Sequence, residues 1–546
     1  TTDIELPKFP APDSNVSFRL YPNYDTKDNR RSIPMGCGIG QSSSTAALPP
    51  RPDTHDPDSL LSGISKRMAF VPPPYVKSKR RRFRKFVRQF VHENFKPIDP
   101  SEPFDFDHWL SETNYPEYRK EELRECRRNV EERYPSIYDI SGSKDTQVKI
   151  FTKEEDYPEF KYPRAIWARC DNFKTVFGPV AKIMEHLVYQ LPNFIKKVPV
   201  AERPSYILEH VYASGYSYYS TDFSQFESHF TSDMMMDCEF ELYRYLLSAH
   251  PKGCEIYRML CRVLASKNYC RSKYFGLELK AKRMSGEMNT SLGNGFSNLM
   301  FILFGIQEYK LQATMPVVEG DDGLFGVIGE LPGKHFLDLG LTVKMERHES
   351  INTASFCGLI FDLSEKIIVT EPLKVLARFG WYESRYNFAS REVLLGLMKS
   401  KALSVCWQYP GCPIIYKYAV KLLSLLDDIE IYVPIQNTYD RERFDLEAIA
   451  HYKFPLVMPG PRTRHLMWDK FGVSISDQLA IESEIDNITL ADLGCPTAFL
   501  LYPQCWKDYY SRFVRTYDDM PADMVCYFDR IGEKKNIYYL KQLPSQ

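Results

Sequence analysis

The sequence predicts an α+β fold organised on an antiparallel sheet. Pro316-Val317-Val318 and Leu324-Phe325-Gly326-Val327-Ile328 are short apolar runs on either side of Glu319-Gly320-Asp321-Asp322-Gly323. That pattern is a strand, a tight turn and a strand, because Gly and Asp accept the dihedral angles of a hairpin turn. Residues 148–170 alternate with period two, as half-buried strands do. From Thr370 to about Leu426 the apolar spacing turns helical, with Tyr, Trp and Leu anchors.

A chain of 546 residues is long for one domain and implies two to four subdomains around a large core. The 36 Tyr and 34 Phe supply core and, equally, surfaces on which bases stack. A net charge of −1 gives no global mark of a nucleic-acid binder, so any such surface must be local. The 13 Cys show no C-x-x-C pair and fit reduced thiols in a cytosolic setting; Cys406 and Cys412 lack partners for a zinc site. No apolar run approaches the roughly 18 residues needed to cross a bilayer, and the first residues lack a signal-peptide pattern. The chain opens Thr-Thr rather than Met, which suggests a product trimmed or cut from a longer one.

Residues 1 to about 70 are broken by Pro7, Pro10, Pro12, Pro22, Pro34, Pro49, Pro50 and Pro52, and form a tail or an extended strap. Gly36-Cys37-Gly38-Ile39-Gly40 lacks a strong preceding strand, so it is expected to be linker rather than a phosphate loop. Residues 77–88 carry Lys77, Lys79, Arg80, Arg81, Arg82, Arg84, Lys85 and Arg88, with Phe83, Phe86, Val87 and Phe90 at helical spacing. This basic amphipathic helix suits phosphates, an anionic membrane or plain solvent. An acidic-basic helical region follows from Asp105 to Arg133, anchored by Trp109 and Leu110 and broken at Tyr115-Pro116.

Alternation over 148–154 places Lys149, Phe151 and Lys153 on one face, while Arg164 and Arg169 project from the returning strand and the turn beyond it. Such a ribbon neutralises a triphosphate, or it is an edge strand protected by cations. A helix is expected from Phe177-Gly178-Pro179 through His186.

Tyr216 to Tyr219 form a strand ending at Asp222, an acid well placed for a metal; Glu227 follows at a helix start, where an acid also suits the dipole. Met234 to Leu247 continue as one helix. Ser285-Gly286 then lead a small loop into a helix running to about Tyr309, with Thr290 and Asn294 four apart on one face. At the turn, Asp321 and Asp322 are adjacent anions with little room to separate, an arrangement that a divalent metal would relieve, unless this is an ordinary Asp-Gly hairpin. Phe336 to Leu339 are helix, Leu341 to Met345 strand, and Phe356-Cys357-Gly358-Leu359-Ile360-Phe361 a hairpin strand. Beyond Tyr432 the pattern is mixed, with helical signals at 476–483 and 497–502.

Cations at 149–169, an acid after a strand, a Ser-Gly loop before a Thr/Asn helix and a paired-acid turn are together the needs of nucleotidyl transfer. In this order they resemble the RNA-dependent RNA polymerases of positive-strand RNA viruses, the tombusvirus-like and noda-like group in particular. Asp222-x4-Glu227 resembles motif A, Ser285-Gly286-x3-Thr290-x3-Asn294 motif B, and Gly320-Asp321-Asp322 motif C. Lys153 with Tyr162-Pro163-Arg164-Ala165-Ile166 and Arg169 resembles motif F, Gly340-Leu341-Thr342-Val343-Lys344 motif D and Phe356-Cys357-Gly358 motif E. The second acid of motif A is Glu227 here where the family has Asp.

The resemblance implies a right-hand polymerase with a ferredoxin-like antiparallel palm sheet. Residues 1–75 would be a strap closing fingers onto thumb, 76–215 fingers, 216–372 palm with a fingers insertion at about 240–284, and 373–546 a mostly helical thumb. It implies two divalent ions, Mg²⁺ with Mn²⁺ accepted, on Asp222 and Asp321 with Asp322 assisting. It assigns the triphosphate to Lys153, Arg164 and Arg169, and the 2′-hydroxyl to Glu227, Ser285, Thr290 and Asn294. Gly286 would let its loop flex. Lys344, with Lys334 as competitor, would donate a proton to pyrophosphate, and Phe356 to Gly358 would support the primer. Implied partners are template and nascent RNA, NTPs, other viral replication proteins and host membranes, at membrane-associated complexes in the host cytoplasm. A reverse transcriptase shares the palm and paired acids; a non-catalytic RNA-binding replication protein is a third reading.

Overall fold

The computed structural model describes residues 16–22, 34–42, 44–433, 446, 448–515 and 536–539; the rest of the expected strap (1–15, 23–33 and Ser43) and of the expected thumb lies outside the described residues. In chain order the strands are β1 (Val16–Leu20), β2 (Pro34–Gly38), β3 (Val148–Thr152), β4 (Ala165–Arg169), β5 (Ser217–Phe223), β6 (Lys267–Arg271), β7 (Phe275–Lys280), β8 (Gln312–Ala313), β9 (Val317–Glu319), β10 (Asp322–Ile328), β11 (Val343–His348), β12 (Ser355–Phe356), β13 (Leu359–Asp362), β14 (Ile367–Val369), β15 (Trp381–Glu383), β16 (Val514–Arg515) and β17 (Asn536–Tyr539). They form four small sheets among helices, so helix and strand are mixed as the composition of the chain predicts.

The first sheet has the order β1-β7-β6-β3-β4. Its inner face packs Ile150, Trp167, Leu277 and Leu279 against Leu60, Ile64 and Met68, the last three on or just after the Pro57–Arg67 helix. That helix approaches closely because of Gly63: a Cβ there would lie 2.3 Å from the Pro163 carbonyl oxygen. The second sheet has the order β11-β5-β10-β8, with β9 also paired to β10. Its central strands are buried on both sides. Tyr219, Phe223, Phe325 and Val327 meet the apolar Thr290–Glu308 helix, while Tyr218, Val317 and Leu324 meet Phe356, Leu359 and Phe361 of the β12-β13-β14 sheet.

Several expectations change. The Gly36–Gly40 segment is not linker: β2 is an inner strand of the fourth sheet, order β15-β2-β17-β16, and Cys37 is fully buried. Thus β1 lies in the first sheet and β2 in the fourth, so the N-terminal segment contributes strands to two separate sheets. The helix expected from residue 177 begins at Asp171 and runs to Val188 with Pro179 inside it. Proline lacks the N–H that Thr175 oxygen would accept four residues earlier. The Arg127 guanidinium donates to that oxygen instead, at 3.1 Å, which explains how the helix tolerates it. The helix expected over 234–247 is two, Ser232–Asp237 and Glu239–Leu246, turned at Cys238 where φ is −117° and ψ −95°.

The basic run does form a helix, Lys77–Asn94, but most of its charge is spent inside the protein. Lys79 and Arg82 meet Glu308 at 2.9 and 2.6 Å, and Arg80 meets Asp233 and Asp237 at 2.5 Å each. Arg84 and Arg88 share Glu241 at 2.6 and 3.0 Å. Lys77, Arg81 and Lys85 are exposed and form no ion pair with a described residue, while Arg82, Arg84 and Arg88 are exposed but held by Glu308 and Glu241.

Candidate active site

The acidic turn is built as its sequence predicts. Asp322 pairs with Glu319 across β9 and β10, leaving Gly320-Asp321 as a two-residue loop, and Gly320 takes a φ of +61° that only glycine adopts without strain. The Asn298 amide, from the adjacent helix, donates to the carbonyls of Gly320 and Asp321 at 3.3 and 2.9 Å. Asn298 was not expected to matter; it lies four residues beyond Asn294 on the same helical face, and that spacing was its signal.

Register then sets four charged groups in one line. Lys344 on β11 is opposite Asp222 on β5. The ladder of β5 with β10 runs to Thr221 opposite Gly323, which brings Asp222 and Asp322 face to face at the next step. Asp322 in turn is opposite Glu319. Cross-strand partners share a face and stand about 5 Å apart, so Lys344, Asp222, Asp322 and Glu319 form a row at the sheet end. Glu319 is held by Arg203 at 2.7 Å and accepts a long hydrogen bond from the Cys357 thiol at 3.6 Å.

The crowding has an electrostatic cost. Burial and the neighbouring Glu227 and Asp222 push Asp321 up to about 6. Burial, then Asp321, Asp222 and Glu319, push Asp322 up to about 7. Arg164 offsets only part of this repulsion at Asp321, and the hard carboxylate oxygens fit a divalent cation such as Mg²⁺. Among the described residues, no three His, Cys, Asp or Glu side chains are already gathered as a ligand set, so Asp222, Asp321 and Asp322 would converge on an ion rather than pre-form its cage.

Beside the turn lies a cavity of about 320 Å³. Asp222, Glu227, Ser285 and Asp321 line it together with Lys153, Arg164 and the unforeseen Arg67. Glu155 organises the cations. It pairs with Lys153 at 3.2 Å and with the Arg164 guanidinium, and accepts from the Tyr157 hydroxyl at 2.8 Å. Burial alone would raise Glu155; the bonds from Arg164 and Tyr157 bring it down to about 2. Arg67 reaches the cavity because Gly63, four residues earlier on the same helix face, seats that helix against residue 163.

Three expected ligands lie elsewhere. Arg169 points into the interior, 4% exposed, bonded to Glu287 at 2.7 Å and Asn268 at 2.8 Å. The hydroxyl of Thr290 closes its own loop, donating toward the Met284 carbonyl at 2.7 Å and accepting from the Glu287 amide at 3.1 Å. Asn294 is buried and does not line the cavity; its Oδ1 has no hydrogen-bond partner among the described residues. Ser285 does line it, and its hydroxyl accepts from the Trp167 amide at 3.1 Å. Gly286 donates to the Trp167 carbonyl at 2.8 Å, and a Cβ there would sit 2.8 Å from that oxygen. This close approach by itself requires glycine. Ser285, Gly286 and Glu287 therefore stitch their loop to β4.

Lys344 is largely exposed and pairs with Glu346 at 2.5 Å. Lys334 bonds Asp338 at 2.9 Å beside Tyr309. It sits by the far end of the helix that carries Asn298, about 15 Å along at 1.5 Å per residue. Of the two lysines, register favours Lys344. Phe356 is buried, and Cys357 and Gly358 make a turn with φ of +54° and +72° that abuts Glu319.

No protein-family model matches the chain, and no curated protein matches it either.

Proposed function

We propose that this chain is a template-dependent RNA polymerase of the positive-strand viral kind, transferring nucleotides from NTPs to an RNA 3′-hydroxyl and releasing pyrophosphate. The observation that carries the reading is the row Asp222–Asp322 with Asp321 at the turn, set beside a cavity that Lys153, Arg164 and Arg67 also line. Motif order in the sequence supports it.

In this reading the second sheet is the palm, the first belongs to the fingers, the helices after residue 373 are the thumb, and the N-terminal segment is the strap. Asp222, Asp321 and Asp322 would hold two divalent ions, Mg²⁺ or Mn²⁺, which activate the 3′-hydroxyl and neutralise the leaving pyrophosphate. Arg164 and Lys153 receive the triphosphate in exchange for Glu155, Arg164 by its bidentate fork. Glu227 and Ser285 face the ribose, and their polar character admits a 2′-hydroxyl. Lys344, beside Asp222, gives its proton to the leaving group. The hairpin at Phe356–Gly358 supports the primer strand next to the acid row. RNA, NTPs, other replication proteins and host membranes are the partners. No described helix is long and apolar enough to cross a membrane, so membrane attachment in this reading comes from elsewhere.

The test is primer extension on an RNA template with Mg²⁺ or Mn²⁺, comparing NTPs with dNTPs and wild type with Asp321→Ala. NTP incorporation that vanishes in the variant while RNA binding persists supports the proposal. Preference for dNTPs points to a reverse transcriptase. RNA binding without incorporation of any nucleotide points to a non-catalytic replication protein.

A further inference from the structure

The first sheet carries, on its outer face, cations that form no ion pair with any other described residue. Arg19 on β1 is in register with Gly276 on β7, Gly276 with Arg271 on β6, and Arg271 with Lys149 on β3. The row spans three strand spacings, about 14 Å. Lys144 stands at its edge, and none of these four cations forms an ion pair or side-chain hydrogen bond with a described residue. This is the reverse of the Lys77–Asn94 helix, whose charge is largely met by buried acids.

Aromatic rings flank the row. Tyr269 precedes Arg271 by two residues and Phe151 follows Lys149 by two, so one lies a pleat below and the other a pleat above, about 7 Å away on either side. They are 41% and 43% exposed, unusual for rings in the middle of a sheet. A groove of about 530 Å³ opens here, lined by Arg19, Tyr21, Lys144, Tyr269, Arg271 and Glu278. Gly276 forms its floor, where a Cβ would lie 2.8 Å from the Tyr21 hydroxyl. Glu278, the acid in the lining, is paired with Lys267. The opposite face of the sheet holds the Pro57–Arg67 helix and beyond it the catalytic cavity, so the groove is a separate surface.

We propose that this outer face binds single-stranded RNA. Cations in a row take phosphates, and exposed rings flanking them take unstacked bases; a sheet face bearing both suits a single strand better than a duplex, whose bases are stacked and hidden. The binding stands on the groove itself; that the strand is the template rests on the polymerase reading.

The experiment is fluorescence anisotropy of the full chain with a labelled single-stranded RNA across a salt series. Each phosphate contact on a single strand contributes about 0.7 to the slope of log K against log salt. The double variant R19Q/R271Q should lower the slope by about 1.4, and Tyr269→Ala should weaken binding about tenfold at fixed salt. Elongation from a pre-annealed primer–template should stay within about twofold of wild type, since none of these residues reaches the cavity. Crosslinking 4-thiouridine RNA to the unmodified chain should label the peptide holding residues 267–271, a readout independent of variant folding. Unchanged affinity and slope, or crosslinks confined to other peptides, would overturn the proposal. So would variants that keep RNA but lose binding to phosphatidylserine vesicles, which would make the face a membrane surface. A wild type that incorporates no nucleotide while R19Q/R271Q loses RNA would uphold this surface and reject the polymerase reading.

Discussion

Replacing Asp321 by Asn removes one charge from the acid cluster without changing its shape, and should stabilise the metal-free protein in a pH-dependent way. An ordinary Asp carboxyl titrates at 3.8, whereas in the folded chain Asp321 is raised to about 6. Between those values the folded state holds a proton that the unfolded state has released, so stability falls as pH rises through that window. Above it, the folded anion costs about 3 kcal/mol, at 1.36 kcal/mol for each tenfold change in proton affinity. Asp322, raised to about 7 in part by Asp321, relaxes downward in the same variant. Thermal unfolding in EDTA should therefore give matching melting temperatures for wild type and D321N at pH 4. At pH 8 the variant should melt a few degrees higher. Adding Mg²⁺ should raise the wild type and reduce the gap, because ligand binding to the native state stabilises it. If D321N melts at or below wild type in EDTA at pH 8, the carboxylates do not crowd one another and the electrostatic case for a cation site collapses.

Other outcomes follow from single contacts. Asn298→Ala removes both bonds to the Gly320-Asp321 turn; at about 1 kcal/mol for each such bond the variant should lose about 2 kcal/mol in urea unfolding, and nucleotide incorporation should fall with it. Arg127→Leu leaves the Thr175 carbonyl without its donor beside Pro179 and should cost about 1–3 kcal/mol in urea unfolding, whereas the exposed Arg128→Leu should cost little. Lys344→Met should slow single-turnover incorporation, while Lys334→Met, distant from the acid row, should leave it unchanged; the opposite ranking would reassign the proton donor.

Local chemistry was legible in the chain. The turn at Gly320-Asp321 needs backbone angles that a few residue types allow, so composition places it within a residue; Cys357-Gly358, by contrast, reads as the middle of a strand and is the turn between β12 and β13. Strand alternation at 148–152 and helical spacing from 290 to 308 depend on neighbours three or four positions away, and these too were readable. The Pro179 error is of the same kind turned around: proline normally ends or starts a helix, and only a distant arginine supplying the missing donor lets this one continue. Likewise Gly36–Gly40 looked like linker because its strand partners are near residues 381 and 537.

What tertiary structure alone decided is where each charge finds its counterpart. Residues 77–88 are the densest basic run in the sequence, yet Asp233, Asp237, Glu241 and Glu308 consume most of it, and Arg169 is taken by Glu287. Arg19 and Arg271, unremarkable in sequence, and Lys149, expected beside Lys153 on one cationic face, are scattered over more than 250 positions yet become one row without ion pairs to described residues when β1, β3 and β6 enter the same sheet, while Lys153 lines the cavity. The acid row Asp222–Asp322–Glu319 arises in the same way, from register. A backbone turn is a property of a few consecutive residues. The free energy of a charge depends on what lies within a few ångströms of it, and in a folded chain those neighbours come from anywhere in the sequence.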